Sequence, residues 1–95
     1  MPGVGFEWPD WALDMLIGIS PNEVMQVLTK QRRWPRRGRG AAGIEMLTIW
    51  GRTAAGRPLI VGLRQAEAWQ WQIVAARAMS PEQVAEFEKW EQENQ

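Results

Sequence analysis

Apolar residues recur along this chain with two different periods, and the change of period separates helical stretches from extended ones. Near the start, Val4–Trp8 has room for one short extra N-terminal strand. Pro9–Ile17 then predicts a short helix with mixed faces (Trp11, Leu13, Met15, Leu16), which Gly18 ends. Ser20-Pro21-Asn22-Glu23 is a strong helix start. Ser supplies the cap, Pro occupies the first helical position and Glu follows three residues after the cap. Val24, Val27 and Leu28 continue it at helical spacing, toward Lys30 or Arg33.

The period drops to two further along. Ile44–Thr53 and Arg57–Arg64 flank Ala54-Ala55-Gly56, which fits a three-residue hairpin with Gly in the left-handed position. This register places Leu47 and Ile49 beside Leu63 and Val61 on one face, and Thr48, Trp50 and Arg52 with Ile60 and Arg64 on the other. A turn over Gln65–Ala68 leads into a third strand, Trp69–Ala78. Alternation there puts Trp69, Trp71, Ile73, Ala75 and Arg77 on one side and Gln70, Gln72 and Val74 on the other. Ser80-Pro81-Glu82-Gln83 repeats the capping pattern and opens a last helix, with Val84, Phe87 and Trp90 along one stripe. The expected fold is α+β: N-terminal helices, a three-stranded antiparallel meander and a closing C-terminal helix.

Between the second helix and the hairpin lies Lys30–Gly40, in which six of eleven residues are basic and Pro and Gly interrupt any period. It reads as part of a flexible basic loop over 31–43 within a single domain, 1–95.

Composition narrows the chemistry. The chain has no Cys, His or Tyr. That excludes disulfides, thiolate zinc sites and Cys nucleophiles, and it removes the usual general base at neutral pH. Any catalysis falls to carboxylates, Arg, Lys, Ser, Thr or backbone groups, and no metal or cofactor is expected. No apolar run approaches the ~18 residues of a membrane span, so a cytoplasmic protein without membrane contact is expected. The formal net charge of zero conceals a pattern. Residues 1–29 carry Glu7, Asp10, Asp14 and Glu23 and no base; residues 30–77 carry ten bases against Glu45 and Glu67; residues 78–95 carry five Glu against Lys89. A basic middle between acidic ends points to a polyanion surface.

Three motifs in order resemble one family. Phe6-Glu7-Trp8 is similar to the opening of BrnT-type toxins of the RelE-like superfamily. Gly51-Arg52-Thr53-Ala54-Ala55-Gly56-Arg57-Pro58-Leu59-Ile60-Val61 resembles their hairpin, and Ile73-Val74-Ala75-Ala76-Arg77-Ala78-Met79-Ser80-Pro81-Glu82 their ending. Where the family places Lys-His-Gly at the end of its first helix, this chain has Leu16-Ile17-Gly18. The resemblance implies a RelE-like fold and a metal-independent endoribonuclease, the toxin of a type II toxin–antitoxin pair in a bacterial cytoplasm. Its partners would be RNA and a neutralising antitoxin with a ribbon-helix-helix part. The alternative is a catalytically inactive RNA- or protein-binding module of the same fold, and a homodimer stays open.

RNA cleavage through the 2′-hydroxyl needs cations at the scissile phosphate and a proton acceptor. The motifs carry over Arg52, Arg57 and Arg77, and shared-face geometry favours Arg52 with Arg77 as the catalytic cations. Their planar forks suit phosphate oxygens. Arg77 could instead pair with Glu82 or Glu86, Arg57 could be a solvated hairpin residue, and Arg52 and Arg64 could stack on aromatic rings near Trp50. Glu45 is the first choice of acceptor, ahead of Glu7 and Glu82. RNA contact is expected from Arg32, Arg33, Trp34, Arg36, Arg37, Arg39, Arg57 and Arg64, with Trp34 stacking on a base. The same basic loop could dock an acidic antitoxin segment. Of the seven Trp, at least one, with Trp11, Trp34 and Trp90 as candidates, is expected to be exposed for a protein partner.

Overall fold

The computed structural model describes residues 5–14, 16–39, 45–67 and 70–94. The elements run β1 (Gly5–Glu7), α1 (Asp10–Asp14), α2 (Pro21–Thr29), β2 (Trp34–Arg39), β3 (Glu45–Arg52), β4 (Pro58–Glu67), β5 (Gln70–Ala78) and α3 (Pro81–Glu93). The strands form one mixed sheet in the order β1-β5-β4-β3-β2, with β1 parallel to β5 and every other pair antiparallel. The fold is α+β, and the expected meander is its centre, β3-β4-β5. The expected N-terminal strand is present as β1. Val4, Met15, Ile44, Ala68, Trp69 and the loop residues 40–43 lie outside the described residues.

Both capping boxes form. Ser20 Oγ accepts from Glu23 N (3.2 Å) while the Glu23 carboxylate accepts from Ser20 N (3.0 Å), and Ser80 and Gln83 do the same at α3. Each box satisfies amides that the first helical turn otherwise leaves orphaned. The hairpin also forms as expected: Arg52 pairs with Pro58, Gly56 has φ +90°, and Thr53 N donates to Arg57 O. Thr53 is buried, and its hydroxyl accepts from Arg57 N. Gln26 of α2 accepts from Ala54 N and ties the helix to the turn.

The two sheet faces carry separate apolar clusters. On one, Ile49, Leu59, Val61, Leu63 and Ile73 bury against Val24, Val27 and Leu28 of α2 and against Ile19. Gly51 permits the close approach of α2, since a Cβ there would stand 3.0 Å from Val27 Cγ1. On the other, Trp50, Ile60, Met79 and Phe87 pack with Trp34, Val84 and Trp90, so α3 covers this half-face through large side chains. Trp90 stacks on Trp34 and Phe87, and Trp34 meets Trp50 edge-on.

Three expectations need correction. First, the basic loop is largely a strand: Trp34–Arg39 pairs with β3 from Trp50 to Glu45. Its Arg and Pro residues argued against a strand, but β2 lies at the sheet edge, where charge and Pro are tolerated. Second, Gln65–Glu67 is not a turn, because β4 continues to Glu67. Third, β5 does not keep strict alternation. Ala75 pairs with Gly62 and Ile73 with Leu63, so Val74 is an extra residue in a bulge. Trp71 and Ile73 therefore face the α2 cluster, whereas Ala75 and Arg77 align with Gly62 and Ile60 on the α3 face.

Because α3 rests on the sheet through side chains, Phe87→Ala should destabilise the fold by about 3–5 kcal/mol in urea denaturation. A loss below about 1 kcal/mol would show that the helix is not part of the cooperative core.

Candidate functional site

The arginines of the basic middle divide into those held by protein partners and those left at the surface. Arg52, a proposed catalytic cation, belongs to the first group. Its Nε and Nη2 donate to the two oxygens of Glu91 at 2.9 and 2.8 Å, its Nη1 donates to Gly56 O, and its guanidinium lies 5.6 Å from the Phe87 ring centre. The expected ring contact is there, but on Phe87. The hydrogen bonds from Arg52 hold the Glu91 carboxyl below its usual range, and Glu91 in turn raises the Arg52 pKa.

Arg36 lies between two rings, 4.4 Å from the Trp34 centre and 4.9 Å from that of Trp50, and pairs with Glu86 at 2.6 Å. The stacking expected of Arg64 is thus performed by Arg36, and Arg64 donates instead to Gln72 Oε1 at 2.7 Å. Arg57 is no free hairpin residue: it donates to Gly18 O and to the Glu23 carboxylate. Glu23 is held below its usual range first by its bond from the Ser20 amide and then by Arg57. Arg32 donates to Glu91 O and Arg33 to Lys30 O. Trp34 is sandwiched in the aromatic layer, so it does not offer the free base platform expected of it. Among the described residues the exposed Trp is Trp11, at 53%.

Three of the remaining arginines, Arg39, Arg64 and Arg77, gather where α3 stops covering the sheet. A recess of about 460 Å³ opens on that half-face. Met46, Thr48, Ile60, Gly62, Val74 and Ala75 line it, together with Arg39, Arg64, Arg77 and Trp11. Gly62 gives the Met46 methyl room on this floor, since a Cβ there would fall 2.3 Å from Met46 Cε. The Val74 bulge puts Arg77 on this face, and α1 beside β5 supplies Trp11. Among the described residues no ion pair involves Arg39 or Arg77, so the alternative pairing of Arg77 with Glu82 or Glu86 is not formed.

Glu45, the proposed proton acceptor, is elsewhere. It is exposed at the start of β3, opposite Arg39 in register. It lines an adjoining recess of about 490 Å³ with Arg37, Leu47, Leu63 and Trp71. Arg39, Met46 and Arg64 border both recesses, which therefore meet at the end of the sheet. The structure brings Arg77 together with Arg39 and Arg64. It does not bring Arg52 or Glu45 into that recess. Of the three Trp named as candidates for exposure, Trp11 is the one that borders this recess.

No group of carboxylates among the described residues could hold a metal ion. Likewise, no described helix is long and apolar enough to cross a membrane. Compared with models of known protein families and with curated protein sequences, the chain matches none.

The Arg52–Glu91 pair generates a pH signature. A carboxylate with a lowered native pKa contributes stability above its unfolded value, near 4.3, and loses it as pH falls through the native value. Glu91→Gln should therefore lower stability at pH 7 and reduce the loss of stability on acidification below about pH 4. Unfolding midpoints of both proteins across pH 2–7 check this; parallel profiles would show that the pair contributes nothing.

Proposed function

We propose that this chain is an RNA-binding protein whose contact surface is the open half-face between Trp11 and Arg39, Arg64 and Arg77. The fuller reading, which draws on the resemblance, makes it the endoribonuclease toxin of a toxin–antitoxin pair. One observation carries the RNA reading. Arg32, Arg33, Arg36, Arg52 and Arg57 are engaged with protein oxygens, whereas Arg39 and Arg77 have no ion-pair partner among the described residues and Arg64 has only a neutral amide.

Guanidinium forks above a shallow apolar floor suit phosphates of a single strand, with the bases turned toward that floor. Trp11 offers an exposed ring for stacking. Cleavage would ask Arg64 and Arg77 to neutralise charge on the phosphate as the ribose 2′-oxygen bonds to phosphorus, giving its proton to solvent, and the 5′-oxygen leaves and takes one up. A second reading, RNA binding without cleavage, is favoured by the lining itself: among the described residues no carboxylate borders this recess. Glu45 reaches the shared lip only through the adjoining one.

Strong induction without an antitoxin should arrest growth and shorten cellular mRNA if the chain cleaves. Arg64→Ala and Arg77→Ala should each weaken binding of a single-stranded oligoribonucleotide about 10-fold or more. Each should also make the salt dependence shallower by nearly one phosphate contact. Salt-sensitive binding with intact RNA and normal growth selects the non-catalytic reading. No RNA binding by the parent chain sinks both.

A further inference from the structure

The outer edge of the sheet carries an interaction surface of a different kind. β2 is the last strand of the order, and among the described residues nothing pairs with its outer side. Its orientation follows from one contact. Thr48 Oγ1 donates to Arg36 O at 2.7 Å, and Arg36 is the register partner of Thr48. The Arg36 carbonyl therefore faces β3. Backbone groups alternate in direction along a strand, so those of Pro35, Arg37 and Arg39 face away from the sheet. Pro35, which has no N–H, sits where none is needed. The outward set is then the Pro35 carbonyl and the N–H and C=O groups of Arg37 and Arg39.

Side-chain placement adds charge to this edge. Arg37 and Arg39 are both exposed, stand two residues apart on the face of Leu47, and take part in no ion pair among the described residues. Arg36, on the opposite face, is already paired with Glu86. A second copy adding its own β2 would bring arginines beside arginines, which is repulsive. An acidic strand would bring opposite charges together in the same geometry.

We propose that β2 is a strand-addition site for an extended acidic segment of a partner protein. Two of its carboxylates, at alternate positions, would lie beside Arg37 and Arg39 while its backbone completes the ladder. Such a segment would cover Arg39 at the lip of the recess and so compete with whatever binds there. The site is defined by backbone direction and does not depend on the nucleic-acid reading.

Two measurements on the full chain test it. In amide hydrogen exchange of the dilute chain, Arg36 and Gly38 N–H should be protected and Arg37 and Arg39 N–H fast. Protection of the latter pair would show an edge already paired and overturn the proposal. The second is titration with a peptide of about ten residues alternating Glu and Thr, against the same composition in two blocks. The alternating peptide should bind more tightly and protect the Arg37 amide. Arg37→Ala removes the charged side chain and keeps the outward N–H, whereas Arg37→Pro removes both at a position where an edge strand accepts Pro. Arg37→Pro should therefore bind the alternating peptide about 2- to 10-fold more weakly than Arg37→Ala. Equal weakening, or no preference between the two peptides, overturns strand addition. A single-stranded oligoribonucleotide, run with the same variants, separates this result from the RNA reading, whose failure would appear at Arg64 and Arg77.

Discussion

Trp90 lies flat on Trp34, their planes 8° apart, and through this stack α3 is seated on one half of a sheet face and not on the other. Trp34 belongs to the edge strand, Trp50 to its neighbour and Phe87 to the helix, so the aromatic layer joins segments far apart in the chain. Two ion pairs border it, Arg36 with Glu86 and Arg52 with Glu91. The acidic C-terminal segment thus neutralises the part of the basic middle that it covers. Cations beyond its reach remain at the surface, which is why the recess around Arg39, Arg64 and Arg77 is positive although the whole chain is neutral.

The charge pattern along the chain is consequently a map of internal contacts as much as of external ones. Glu23, in the acidic first third, holds Arg57 beside the start of α2; Glu91, in the acidic last segment, holds Arg52. Both pairs draw on the hairpin between β3 and β4. The hairpin arginines serve the fold here, while Arg77, on β5, is turned to the open face.

Much of the fold was legible because local chemistry and tertiary demands agree. Both Ser-Pro capping boxes, the Gly56 turn and the opposition of Leu47 and Ile49 to Leu63 and Val61 depend on near neighbours and on a two-residue period. The exposed aromatic was less legible. Trp11 and Trp90 look alike in sequence, yet one stacks on Trp34 and the other borders the recess.

Local order, then, is what the amino-acid sequence determined by itself: where helices start, where the hairpin turns, and that the middle is basic. Tertiary structure decided which face each arginine occupies. The Val74 bulge moves Arg77 across the sheet, and a bulge leaves no mark in a hydrophobic pattern because it is a mismatch between two strands. Pairing with β3 likewise makes a strand of Trp34–Arg39, whose Pro and arginines promise none, because backbone hydrogen bonds at an edge need a partner more than a propensity.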